Sequence, residues 1–169
     1  MPPFSFAAHL DAAAGHWSTQ AQIPRGPKIA KLLELIEGPA DVDNSDDKFL
    51  VFSASAHLLD LVAGALAATY PPGFFVRARE GESALSRFRD EPECCGLLLE
   101  SGTFAAGLTL TNASTCYVLE PQLDPAAQTQ LESRIYRPGQ TRDVRIVHLY
   151  MSGTIEERIV QRHPDFVFE

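Results

Sequence analysis

Four short apolar runs, at 48–53, 96–99, 115–119 and 144–150, are separated by stretches of helical periodicity. The first reads Lys-Phe-Leu-Val-Phe-Ser, a continuous apolar block between polar ends. A strand with one wet face alternates apolar and polar side chains, so an unbroken run needs cover on both faces. Between the first two runs, Leu58, Leu59, Val62, Ala63 and Leu66 mark one face of a helix over 56–69, which Pro71, Pro72 and Gly73 break. Residues 74–76 read as a further short strand and 83–90 as a short helix carrying Leu85 and Phe88. Ahead of the first run, Ile29, Leu32, Leu33 and Ile36 recur at helical spacing from Gly26, and Gly38 and Pro39 end that helix. An acidic polar loop follows over 40–47. Residues 1–25 form an alanine-rich lead-in with a short helix expected around 7–14, and 163–169 form a tail. Thr154, Ile155, Glu156 and Glu157 have the form of a capping box that opens a terminal helix to about Gln161. Strands in alternation with helices, themselves apolar on both faces, specify an α/β domain with a mostly parallel sheet between helical layers.

The chain has 169 residues, enough for one domain with a substantial core. Its net charge of −8 argues against a generally basic nucleic-acid coat, but leaves room for a local basic site. Arg134, Arg137, Arg142 and Arg145 cluster late, while Asp41, Asp43, Asp46 and Asp47 cluster early. There are three cysteines and no C-x-x-C pair, which fits a reducing compartment and neither a disulfide framework nor a zinc site of ordinary spacing. The amino-terminal residues lack a signal-peptide pattern, and no stretch is long and apolar enough to span a membrane.

Parallel sheets bind ligands beyond the carboxyl ends of their strands, which directs attention to the loops after Ser53, Glu100 and Leu119. Ser53 and Ser55 place hydroxyls at one such end, and Ser55 is well placed to cap the helix that follows. The segment 101–110, with Ser101, Thr103 and Gly107, is small and hydroxylated, so backbone there can approach a ligand closely, although such loops are also common as plain connections. In the segment 130–140, Gln130, Arg134 and Arg137 share a helix face, with Leu131 and Ile135 on a separate apolar stripe. Pro138 and Gly139 stop that helix. Two guanidiniums near a helix end suit phosphate oxygens, and the same spacing also describes a solvated surface helix. Asp90, Glu91 and Glu93 lack the preceding apolar strand of a magnesium-binding acidic motif. No G-x-x-x-x-G-K-[ST] loop and no G-x-S-x-G elbow occurs, and His57, His148 and His163 lack metal-ligand spacing.

The order of these elements resembles the second RecA-like lobe of Swi/Snf-type superfamily 2 helicases, over about residues 26–162. The likeness is carried by the first apolar run, by Thr-Phe-Ala-Ala-Gly-Leu-Thr at 103–109, by Glu-Pro-Gln-Leu-Asp-Pro at 120–125, by Gln130-x-x-x-Arg134-x-x-Arg137-x-Gly139-Gln140, and by Thr-Ile-Glu-Glu-Arg at 154–158. Within the family it is most similar to the SNF-two, histone-linker, PHD and RING-finger helicase subgroup. The resemblance implies a three-layer RecA-like fold of the P-loop NTPase class, in which two lobes sandwich ATP and move along duplex DNA. It implies that Arg134 and Arg137 face the ATP phosphates, that Gln130, Gly107 and Gln140 shape the nucleotide side, and that Ser53, Ser55, Ser101 and Thr103 lie along the DNA backbone. ATP and Mg would be bound mainly by a first lobe, supplied in cis or in trans. Half a site implies negligible hydrolysis by this lobe alone. DNA contacts would be independent of sequence, partners would extend to chromatin or ubiquitin machinery, and the location would be the nucleus. A second reading keeps the RecA-like shape as a stand-alone binding module without catalysis.

Overall fold

The computed structural model describes residues 4–10, 26–37, 48–101, 110–121, 133, 136, 139–162 and 167–168, with only the backbone path given for 4–10 and 167–168. The described strands are β1 (Phe4–Leu10), β2 (Lys48–Ser53), β3 (Phe75–Arg77), β4 (Gly96–Glu100), β5 (Ala113–Val118), β6 (Arg145–Met151) and β7 (Val167–Phe168). The described helices are α1 (Pro27–Glu37), α2 (Ala56–Thr69), α3 (Glu82–Asp90) and α4 (Ile155–Gln161). The strands form one sheet in the order β3-β4-β2-β5-β6-β1-β7, and every pairing is parallel.

The continuous apolar runs become the strands buried on both faces. Along β2 the burial is complete, and alternate side chains enter different cores. Phe49 and Val51 join Ile29, Leu32 and Leu33 of α1 and Leu59, Val62 and Leu66 of α2. Leu50 and Phe52 join Ala84 and Phe88 of α3 on the other face. The period of two in a strand makes this division automatic. The three-layer α/β architecture expected from the sequence is therefore the one observed.

Three local features seat these layers. Gly96 opens β4 where a Cβ would lie 2.6 Å from the Phe49 Cζ, so only glycine admits that ring. Lys48 is buried at the start of β2, where its ammonium donates to the Phe88 carbonyl and, at 2.7 Å, to the Glu91 carbonyl. It thus places a cation on carbonyls at the carboxyl end of α3, where the helix dipole favours positive charge. Gly73 has φ +92°, the left-handed turn that follows α2 and the two prolines.

One local expectation is corrected. A helix is expected around 7–14, but Ala7, Ala8, His9 and Leu10 belong to β1, in parallel register with His148 to Met151 of β6. Alanine is the best helix former, but propensity is a weak determinant, and pairing beside β6 is a tertiary contact that overrides it.

Candidate functional site

The carboxyl ends of the parallel strands carry the site. β2 ends at Ser53, whose hydroxyl is buried. It donates to Glu120 Oε1 at 2.8 Å and accepts from the Ser55 amide at 2.9 Å. The Ala54 amide donates to Glu120 Oε2 at 3.3 Å. Ser55 Oγ accepts from the Leu58 amide at 3.3 Å and caps α2, the role its position suggests. The loop between β2 and α2 is thus held by a carboxylate from the end of β5. Burial pushes the Glu120 carboxyl above its ordinary range, against the bonds from Ser53 and Ala54 and the nearby Lys28 charge.

Lys28 is the residue that sequence reasoning missed. It stands in the first turn of α1, buried, and donates to the Leu119 carbonyl at 2.6 Å and to Glu156 Oε1 at 2.6 Å. Glu156 Oε2 accepts from the Met151 amide at 2.8 Å. One ammonium therefore ties α1 to the end of β5 and to the start of α4. A signal was present in the sequence, since Lys28 lies four residues before Leu32 on the buried stripe of α1. The capping box takes a modified form. Thr154 Oγ1 accepts from the Glu156 amide at 3.2 Å, while Glu157 reaches the Gly153 amide at 2.8 Å, one residue before the cap.

At the end of β3, Arg77 and Arg79 both reach Asp60 Oδ1 on α2, at 2.5 and 3.0 Å. The Arg77 hydrogen bond, ahead of the Arg79 charge, holds the Asp60 carboxyl below its usual range. Arg77 and Arg79 border a small concavity with Ala56, Leu59, Leu98 and Glu100. Ser101 is exposed beside Glu100 at the end of β4.

Of the residues assigned to the nucleotide side, Gln140 is described, while Gln130, Arg134, Arg137 and Gly107 lie outside the described residues, as does Thr103. Gln140 Nε2 donates to the Ala113 carbonyl at 2.9 Å, and Oε1 accepts from the Arg142 amide at 3.1 Å. Its side-chain amide is engaged at the amino end of β5 and anchors the end of the segment there. Gly139 has φ +107°, the left-handed turn that glycine supplies there. Ser133 and Tyr136 are exposed.

Asp90 and Glu91 pair with Arg89 and Arg87 on the surface. Burial raises the thiols of Cys94 and Cys95. Among the described residues, no group of three His, Cys, Asp or Glu side chains is placed to hold a metal ion, and no helix is long and apolar enough to cross a membrane.

The architecture and sequence can now be set beside known proteins. The profile described as "Helicase conserved C-terminal domain" matches residues 27–139. The chain is 33% identical over 138 residues to the DNA repair protein RAD5A of Arabidopsis thaliana, covering 78% of this chain and 13% of that protein. It is 31% identical over 147 residues to the chromatin-remodeling ATPase INO80 of Debaryomyces hansenii, covering 83% of this chain and 10% of that protein. The crystal structure of the C-terminal part of the Fun30 ATPase domain superposes with a TM-score of 0.73 at 22% identity, covering 86% of this chain and 48% of that one, a likeness of fold. The chain spans between 8% and 20% of the length of the curated relatives it matches. It belongs to the helicase conserved C-terminal domain family, as a RecA-like second lobe of the Swi/Snf type within superfamily 2.

Proposed function

We propose that this lobe forms half of an ATP-dependent DNA translocase, the other half being a first RecA-like lobe in cis or in trans. Arg134 and Arg137 supply arginine fingers to the nucleotide, with Gln130 and Gly107 shaping that side. Ser53, Ser55, Ser101 and Thr103 run along the DNA backbone. What supports this reading is the 130–140 segment: in the sequence Arg134 and Arg137 stand three positions apart just before Gly139, and Gln140 pins the end of the segment to the Ala113 carbonyl of β5.

The described residues fit ATP and Mg only in part. As the family resemblance implies, ATP and Mg are assigned mainly to the first lobe, with Gln140 holding the motif through the Ala113 carbonyl. ATP bound there supplies the transferable phosphoryl group, and the arginines here stabilise charge that develops on it. Contacts to DNA are to phosphates, independent of sequence and weakened by salt. Work on chromatin or in DNA repair, in the nucleus, follows from the relatives; a link to ubiquitin machinery rests on the subgroup resemblance alone.

The test is DNA-stimulated ATP hydrolysis by this chain mixed with a Swi/Snf-type first lobe. The lobe alone gives negligible turnover. In the mixture, Arg134→Ala or Arg137→Ala lowers kcat by about a thousandfold or more, the usual loss when an arginine finger is removed. Rates unchanged by both substitutions would exclude the finger assignment. DNA binding retained with no ATPase in any mixture would favour the stand-alone binding module, a reading to which the exposed Tyr136 inside the motif lends support.

A further inference from the structure

We propose that Lys28 is a positioning residue for ATP hydrolysis: by holding the Leu119 carbonyl, it fixes the direction in which the chain leaves β5 toward Arg134 and Arg137. The inference rests on the translocase reading and adds to it a residue that lies outside the arginine motif.

Lys28 is not a phosphate ligand. Its side chain is 11% exposed, and its ammonium is engaged by the Leu119 carbonyl and by Glu156 Oε1, each at 2.6 Å. A buried ion pair is also a weak source of stability, since apolar side chains of similar volume often serve a fold as well. What an apolar side chain cannot supply is the directed bond to Leu119. That residue directly follows β5, is fully buried, and has both backbone groups held. Its amide donates to the Phe52 carbonyl of β2 at 2.9 Å, and its carbonyl accepts from Lys28. The peptide planes on either side of its Cα are thereby fixed. Glu120 is then tied by its carboxylate to Ser53 and Ala54, and Pro121 is buried and confines Glu120 to extended backbone. Phe52, Ser53 and Ala54 hold this exit from the β2 side. Lys28 and Glu156 hold it from the opposite side, against α1 and the Met151 amide at the end of β6.

The arginine segment begins a few residues on. Asp124 and Pro125 have the pattern of a helix cap and a first helical residue, so the sequence starts there the helix that carries Arg134 and Arg137. A helix begun at Pro125 rises about 14 Å by Arg134. A tilt of about 5° at its base then displaces the arginines by about 1 Å, and a misplacement of that size costs about a hundredfold in rate. Gln140 holds the far end of the segment on the Ala113 carbonyl. Lys28 and Gln140 therefore bracket the stretch from which the guanidiniums project.

The experiment is DNA-stimulated ATP hydrolysis by the full 169-residue chain mixed with a Swi/Snf-type first lobe, at a temperature where circular dichroism shows each variant folded. Lys28→Met is expected to lower kcat by about ten- to a hundredfold, with KM for ATP and affinity for a DNA duplex within about twofold of wild type, because the arginines act on charge that develops only in the transition state. The double substitution Lys28→Met/Glu156→Gln removes the unpaired buried charge and keeps an acceptor for the Met151 amide. It is expected to regain stability but not kcat. Leu66→Ala, destabilised to a similar degree through the α2 core, is expected to keep the wild-type kcat. Recovery of kcat in the double variant overturns the proposal, since Lys28 then serves stability alone. A loss in Lys28→Met that falls on KM or on DNA affinity instead of kcat also overturns it. Both results leave the translocase reading in place. If Lys28→Met does not fold, the double variant decides in the same way: a low kcat supports the proposal and a wild-type kcat overturns it. A wild-type mixture without DNA-stimulated turnover overturns the translocase reading, and this inference with it.

Discussion

Two charged side chains at the carboxyl edge govern how the site is held. Glu120 accepts from the Ser53 hydroxyl and the Ala54 amide, yet burial raises its pKa. A carboxyl whose folded pKa lies above its unfolded one binds more protons in the native state. Its contribution is complete below the unfolded pKa and lost as pH rises through the raised one. Glu120→Gln should therefore remove a fall in stability that the wild type shows as pH climbs above the ordinary carboxylate range, read from urea midpoints across pH. Lys28 acts through its contacts. Lys28→Met leaves Glu156 with an uncompensated charge and the Leu119 carbonyl without its donor. A loss of about 3 kcal/mol is expected from equilibrium denaturation, the lower end for breaking a buried pair because the Glu156 side chain keeps 22% exposure. The spacing of Lys28 from Leu32 hinted at a buried position, but the partners of neither side chain were legible in the sequence. A lysine in a first helical turn normally faces water, and what neutralises Lys28 comes from Leu119 and Glu156, both more than 90 residues away.

At the scale of elements, the sequence was a good guide wherever a strand or helix carried its own pattern. The apolar runs became β2, β4, β5 and β6, and the heptad-like spacings became α1 and α2 with ends close to those expected. Ser55 was recognised as a cap because capping is a local interaction that reaches only three residues. Ser55→Ala should cost about 1 kcal/mol in thermal or urea unfolding, whereas Ser55→Gly should cost a few tenths. Gly96 has a different logic. It has no turn to make, and its demand comes from the Phe49 ring across the sheet. Gly96→Ala should destabilise by about 1–3 kcal/mol through overpacking, measured the same way. β1 was misread because a strand of modest propensity is chosen by its neighbour in the sheet, not by its own residues.

For the whole molecule, one sheet divides two cores, and each strand of the centre contributes to both. The faces should therefore unfold together. Leu66→Ala on the α2 side and Phe88→Ala on the α3 side should each lower stability by about 3 kcal/mol or more, in a single transition seen alike by far- and near-ultraviolet circular dichroism. Separate transitions would show the layers to be independent. What the residues themselves determined was the layered α/β class, the positions of most strands and the helix cap at Ser55, because each is encoded within a few neighbouring positions. What only the tertiary structure decided was which charges meet at the carboxyl edge. The trios Lys28–Leu119–Glu156, Ser53–Ala54–Glu120 and Arg77–Asp60–Arg79 join segments distant in sequence, and a parallel sheet brings such segments together only after its crossovers have closed.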